Sequence, residues 1–194
     1  MTLKEKIRIE NCLPPEEGSF PHLRVHTEFS ITDGIVAIEP LMRQLSVQKM
    51  PSVAITDIAN LFGFIKFYKA AISSGIKPLC GAEVLVADKQ NGATTKLVLL
   101  AKDKKGYQNL TRLLSDFYVI DRGDVSLAID QHNLSGYTEG LIALSGAQQS
   151  DIGVALLNGE REDAENALAG WMNLFPQSFY LEVQRVGRQD EAEY

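Results

Sequence analysis

A chain of 194 residues that is 45% hydrophobic and 23% charged can bury one sizeable core, which excludes a disordered or fibrous protein. Its net charge of −6 argues against a surface that grips nucleic acid by counterion release, because that mode needs an excess of Lys and Arg. Cys12 and Cys80 form no CxxC pair and point to a reducing cytoplasm, and no apolar run nears the roughly 20 residues that cross a bilayer.

The opening residues mix both charge signs and lack the apolar stretch of a secretory signal. Residues 1–20 read as a polar lead-in in which Pro14-Pro15 opposes regular structure. Six β-like runs follow, at Leu23–His26, Val53–Thr56, Leu79–Val86, Lys96–Ala101, Leu141–Ser145 and Phe179–Gln184. Helical patterns lie between most of them: Ile38–Gln48, Phe62–Ser73, Tyr107–Val119, Ile152–Leu157 and Asp163–Leu174. Asn91-Gly92 suggests a hairpin between the third and fourth runs. Such alternation predicts an α/β fold with a mostly parallel sheet and helices outside, either a barrel or a doubly wound layer. The polar stretch from Arg188 to Tyr194 suits a helix N-terminus, so the chain is expected to stop inside a βα unit.

In folds of this kind ligands sit at the carboxyl ends of strands. The first run reads His22-Leu23-Arg24-Val25-His26, so His22, Arg24 and His26 share one face if it is extended. Two imidazoles at this spacing can chelate a divalent metal. The second run ends in Asp57, and the third contains Glu83. Converging His, Asp and Glu would serve a metal-dependent phosphoesterase, in which metals polarise phosphate and activate water. Blander roles fit the same residues. Asp57 and Glu83 suit helix caps, Cys80 a small buried hydrophobe and His132 a solvated loop. The aromatic set Phe62, Phe64, Phe67 and Tyr68 suits helix packing.

The runs PHLRVHTEFSITDG, AITDIANLFGFIKFYKAA, GIKPLCGAEV, LLAKDKKGYQNLTRLL and LIALSG stand in the order and spacing of the polymerase-and-histidinol-phosphatase (PHP) domain. In detail they resemble the version that opens the alpha subunit of bacterial replicative DNA polymerase III. The resemblance runs from Pro21 to Tyr194 and leaves residues 1–20 outside. It implies a distorted (β/α) barrel of the PHP type, incomplete in this chain because the last barrel units are lacking. It also implies a parent protein that is a DNA-directed DNA polymerase using magnesium, with its catalytic carboxylates beyond residue 194.

Metal-binding members resemble HLHxHT in the first motif, and Arg24 stands at the first position of that HxH pair. A guanidinium has no lone pair to offer a metal. Ile58 follows Asp57 where the active pattern has His, Lys96 replaces a His, and Ala147 replaces a Cys. His26, Asp33, Asp57 and Glu83 remain. The resemblance therefore implies a vestigial site with no catalytic residue, no metal and no cofactor in this chain. Arg24 and Lys96 are the candidates to supply the missing positive charge. The partners implied are the remainder of the polymerase alpha subunit and a separate proofreading exonuclease subunit. DNA is reached through the parent protein, in the cytoplasm and without a membrane. The alternative is a metal-dependent phosphoesterase or 3′–5′ exonuclease of the same family.

Overall fold

Apolar runs bounded by turn residues become strands in the computed structural model, which describes residues 20–87, 94–119, 128–187 and 191. The strands are β1 (Ser52–Ile55), β2 (Lys77–Ala87), β3 (Thr94–Ala101), β4 (Ala128–Asp130), β5 (Leu141–Leu144) and β6 (Phe179–Tyr180). Interleaved with them are α1 (Ile38–Val47), α2 (Phe64–Ser73), α3 (Lys104–Val119), α4 (Gln131–Leu134), α5 (Asp151–Leu157) and α6 (Arg161–Leu174). The α/β class follows from this order. No described helix is long and apolar enough to cross a membrane. The chain divides within β2 into two compact units, one up to Ala82 and one from Glu83 on.

In the first unit, α1 presents Ile38, Met42 and Leu45, spaced four and three residues apart on one face. They pack with Val53 and Ile55 of β1, Phe67 and Ala71 of α2, and Ile76, all essentially without solvent contact. β1 pairs in parallel with the start of β2, from Ser52↔Lys77 to Ile55↔Cys80. Phe67 belongs to the core, but Phe62 is 65% exposed, so the aromatic set does not pack as a whole.

The run Leu23–His26, read above as a strand, forms no ladder. It lies beside β1, where the Ala54 and Thr56 N–H groups donate to the His22 and Val25 carbonyls, and its bridges are isolated. Its own donors turn elsewhere. The Val25 N–H donates to Thr56 Oγ1 at 3.0 Å, and the Thr27 N–H to Asp57 Oδ1 at 2.6 Å. Side-chain acceptors thus take the hydrogen bonds that a continuing strand would have given to backbone.

Just beyond, the Thr32 N–H donates to the Ser30 carbonyl at 2.7 Å, closing a γ-turn around Ile31 at φ 61°, ψ −66°. This left-handed geometry is strained for a β-branched residue. The Ile31 side chain is 79% exposed, so its removal empties little packing. Ile31→Gly is therefore expected to stabilise the protein, by about 1 kcal/mol after the flexibility of glycine is counted. Thermal melts followed by circular dichroism measure this, and a lowered midpoint would show that the isoleucine is held by contacts stronger than its strain.

In the second unit, the end of β2 pairs in parallel with β4, from Leu85↔Ala128 to Ala87↔Asp130. β3 runs antiparallel to β5, from Val98↔Leu144 to Ala101↔Leu141, and β5 runs parallel to β6. The sheet is mixed, where a mostly parallel one was expected. β2 and β3 are neighbours, and the segment 88–93 between them is too short for the crossover of a dozen or more residues that a parallel return requires. β6 is shorter than the run that predicted it. Past Tyr180 the chain is held by Ser145, whose Oγ accepts the Glu182 N–H at 3.0 Å. Trp171 of α6 stacks on Phe179 with an interplanar angle of 4°, and its Nε1 donates to Asp151 Oδ2 at 2.7 Å. All but Phe20 of the lead-in 1–20, the expected turn at Asn91-Gly92 and all but Glu191 of the final polar run lie outside the described residues.

Candidate functional site

β1 delivers Thr56-Asp57-Ile58 at its carboxyl end, the position from which this class of fold builds sites. Asp57 is 1% exposed. Its carboxylate accepts the Thr27 N–H at 2.6 Å, the Thr27 hydroxyl at 2.8 Å and the Ser30 hydroxyl at 2.7 Å. Ser30 Oγ in turn accepts the Ile58 N–H at 3.2 Å. Three neutral donors are how a buried carboxylate is satisfied without a cation. Among the described residues the partners of Asp57 are Thr27 and Ser30. Arg24 does not serve it.

His26 stays in the same unit, with Nδ1 3.3 Å from Asp33 Oδ2; the His26 side chain is mostly covered and that of Asp33 is exposed. Gly34 makes the approach possible. A Cβ there would lie 1.9 Å from the Thr27 carbonyl oxygen, so the loop after Ile31 folds back on Thr27 only because the side chain is missing. Ile58 presents an apolar side chain where a ligand would be needed.

Glu83, in the second unit, is wholly buried on β2, and its Oε1 lies 2.9 Å from Lys96 Nζ of β3. The contact is an ion pair whose approach departs from the line of a hydrogen bond. The Lys96 side chain is 20% exposed, so most of its stem is covered. Gly146, at φ 86°, lies against the same residue: a Cβ there would sit 2.2 Å from the Lys96 carbonyl oxygen. Ala147 follows at φ 54°, buried, with its carbonyl accepting the Ser150 hydroxyl at 2.7 Å.

Two groupings thus emerge from the residues singled out in the sequence. One unit joins Asp57 and Ile58 through Ser30 and pairs His26 with Asp33. The other brings Glu83, Lys96 and the Gly146-Ala147 turn together. Sequence reasoning gave Thr27 and Ser30 no role, although they hold Asp57. The available signal was two hydroxyl residues three apart directly after the histidine. Burial pushes the Cys80 thiol up to about 12, which suits the packing role expected of it. His132 lies in α4 on an exposed stretch.

These residues do not fit a divalent metal centre. Among the described residues no three His, Cys, Asp or Glu side chains gather as ligands. Asp57 spends its lone pairs on Thr27 and Ser30, and Glu83 faces an ammonium group. Metal-assisted hydrolysis needs open coordination by several such donors.

DNA polymerase III subunit alpha of Pseudomonas aeruginosa is 45% identical over 177 residues, which is 91% of this chain and 15% of that protein. The subunit alpha of Vibrio cholerae is 40% identical over 179 residues, and that of Escherichia coli K12 is 41% identical over 179 residues. The chain therefore spans about 15% of the length of the curated relatives it matches. The profile of the PHP domain matches residues 22–186, which cover most of each unit and every residue of the two groupings. With the motif order, the α/β fold and this match in agreement, the chain belongs to the PHP domain family.

Proposed function

We propose that this chain is the PHP portion of the alpha subunit of a bacterial replicative DNA polymerase III. In this reading it acts in the cytoplasm, performs no chemistry of its own and serves as a docking platform for a proofreading exonuclease subunit. Identity of 40–45% over nine-tenths of the chain supports the parent protein. The parent would transfer nucleotides to a primer with magnesium, using residues outside this chain. The observation that carries the non-catalytic role is the Lys96 ammonium against the buried Glu83 carboxylate, which neutralises one of the few ligands left. In this reading the former ligand positions are rewired into internal contacts within each unit, with Arg24 and Ile58 at lost positions in the first and Lys96 and Ala147 in the second. A net charge of −6 suits protein contacts better than DNA contacts.

The full-length polypeptide carrying this chain tests the proposal. It is expected to extend a primer with magnesium and to retain a proofreading exonuclease subunit in a pull-down. Its hydrolysis of a phosphodiester should not rise when manganese is added. His26→Ala is expected to leave metal content unchanged. Zinc or manganese lost on His26→Ala, together with loss of a nuclease activity, would replace this reading with an active phosphoesterase.

A further inference from the structure

We propose that Asn158 is a site of spontaneous modification, converted with Gly159 through a cyclic imide to aspartate and isoaspartate whenever the end of α5 opens. The inference lies wholly within the second unit and is independent of the polymerase assignment.

The sequence supplies the chemistry. Asn158 is followed by Gly159, whereas Asn60, Asn109, Asn133 and Asn173 precede leucine and Asn166 precedes alanine. Among the described residues it is the one asparagine whose following amide nitrogen has no Cβ beside it to hinder attack. That nitrogen attacks the side-chain Cγ. The N–Cγ bond forms, the Cγ–Nδ2 bond breaks, and the Gly159 amide proton leaves with Nδ2 as ammonia. Water then opens the ring at either carbonyl, placing its hydroxyl on carbon and returning a proton to nitrogen. The balance is asparagine plus water to acid plus ammonia, with no oxidant or reductant. Opening at the main-chain carbonyl yields isoaspartate, whose backbone is longer by one methylene.

The fold sets the rate. Asn158 and Gly159 are exposed, and nothing lies within 4 Å of a Cβ built on Gly159, so no neighbour bars the ring or the water. At Asn158 ψ is −8°, which turns the Gly159 nitrogen well away from Cβ, and ring closure needs the two eclipsed. The Gly159 N–H donates to the Leu156 carbonyl at 3.0 Å and the Glu160 N–H to the Ala155 carbonyl at 2.8 Å, with Gly159 at φ 77°. These are the paired bonds of a helix ended by glycine, and they must break before Asn158 can turn. The lock is weak. The buried residues of α5 are Ile152, Gly153 and Ala155, and everything from Leu156 to Glu160 is exposed. An exposed helix end opens at far lower cost than the whole chain. The Asn158 amide donates to the exposed Glu160 carboxylate at 3.4 Å, too long a contact to fix the side chain. Either product puts a negative charge at the C-terminal end of α5, which the helix dipole disfavours, so a modified end closes less readily.

The test follows the full chain in mildly alkaline buffer by peptide mapping with mass spectrometry, with isoaspartate and aspartate separated by chromatography. Asn91-Gly92 carries the same dipeptide outside the described residues, so each peptide is scored by itself. The Asn158 peptide is expected to gain both acids, isoaspartate in excess, while the buried Asn60 and Asn109 stay intact. Conversion should run roughly tenfold slower than in the chain unfolded by urea, on the scale of opening a helix end. Below the unfolding transition the rate should hardly change with urea, because a local opening exposes little surface. Four results would overturn the proposal: conversion in the folded chain as fast as in the unfolded one, no conversion of Asn158 in the folded chain, a folded-state rate that climbs steeply from the first addition of urea, or aspartate formed without isoaspartate.

Discussion

Asp57→Ala is expected to remove about 4 kcal/mol of stability, because three buried donors lose their acceptor together. Thr27 has no solvent contact and Ser30 only 6%, so water cannot replace the carboxylate at either residue. Domains of this size are commonly stable by only 5–15 kcal/mol, so the variant should unfold at much lower urea concentration or fail to accumulate. Asp57→Asn should cost roughly half as much, since the amide keeps one acceptor oxygen but turns its NH2 group toward other donors. Ser30→Ala removes one partner, and its cost should shrink in the Asp57→Ala background, giving a coupling of about 1 kcal/mol in a double-mutant cycle. A neutral Asp57→Ala would mean that Asp57 is tolerated rather than used, which the geometry of its hydrogen bonds opposes.

Gly106→Ala should also be severe, although alanine ordinarily favours a helix over glycine by nearly 1 kcal/mol. Gly106 lies in the first turn of α3, and its N–H donates to Asp103 Oδ1 at 2.9 Å. A Cβ there would lie 1.8 Å from the Gly140 carbonyl oxygen and 2.5 Å from its carbon. That carbonyl already accepts the Lys102 N–H at 2.9 Å, and Asn109 Nδ2 donates to the Glu139 carbonyl at 2.8 Å. The start of α3 and the entry to β5 are therefore locked backbone to backbone and have no side chain to move aside. A loss of about 3 kcal/mol is expected, as for overpacking that backbone alone can relieve. Gly136→Ala is the control: nothing lies within 4 Å of its added methyl group, and its φ is not positive. Its melting midpoint should match or exceed that of the unmodified protein. Equal midpoints for the two variants would show that α3 can shift away from Gly140 at little cost.

Much of the architecture was legible in the chain itself. The apolar spacing of α1, with Ile38, Met42 and Leu45, and the apolar runs of β1, β3 and β5 carry their own periodicity, so local reading found them within a few residues. β4 and α4 were missed because elements of three and four residues are too short to show a period. That Arg24, Ile58, Lys96 and Ala147 offer a metal no ligand was also legible, because a guanidinium, an alkyl chain, an ammonium and a methyl group have no lone pair for a metal whatever surrounds them. Only the tertiary structure decided what the Asp57 and Glu83 carboxylates do. Asp57 meets Thr27 and Ser30 across 30 and 27 residues of chain, and Glu83 meets Lys96 from the neighbouring strand. Contacts between side chains so far apart in sequence leave no periodic trace, and the tertiary fold alone brings their atoms within reach.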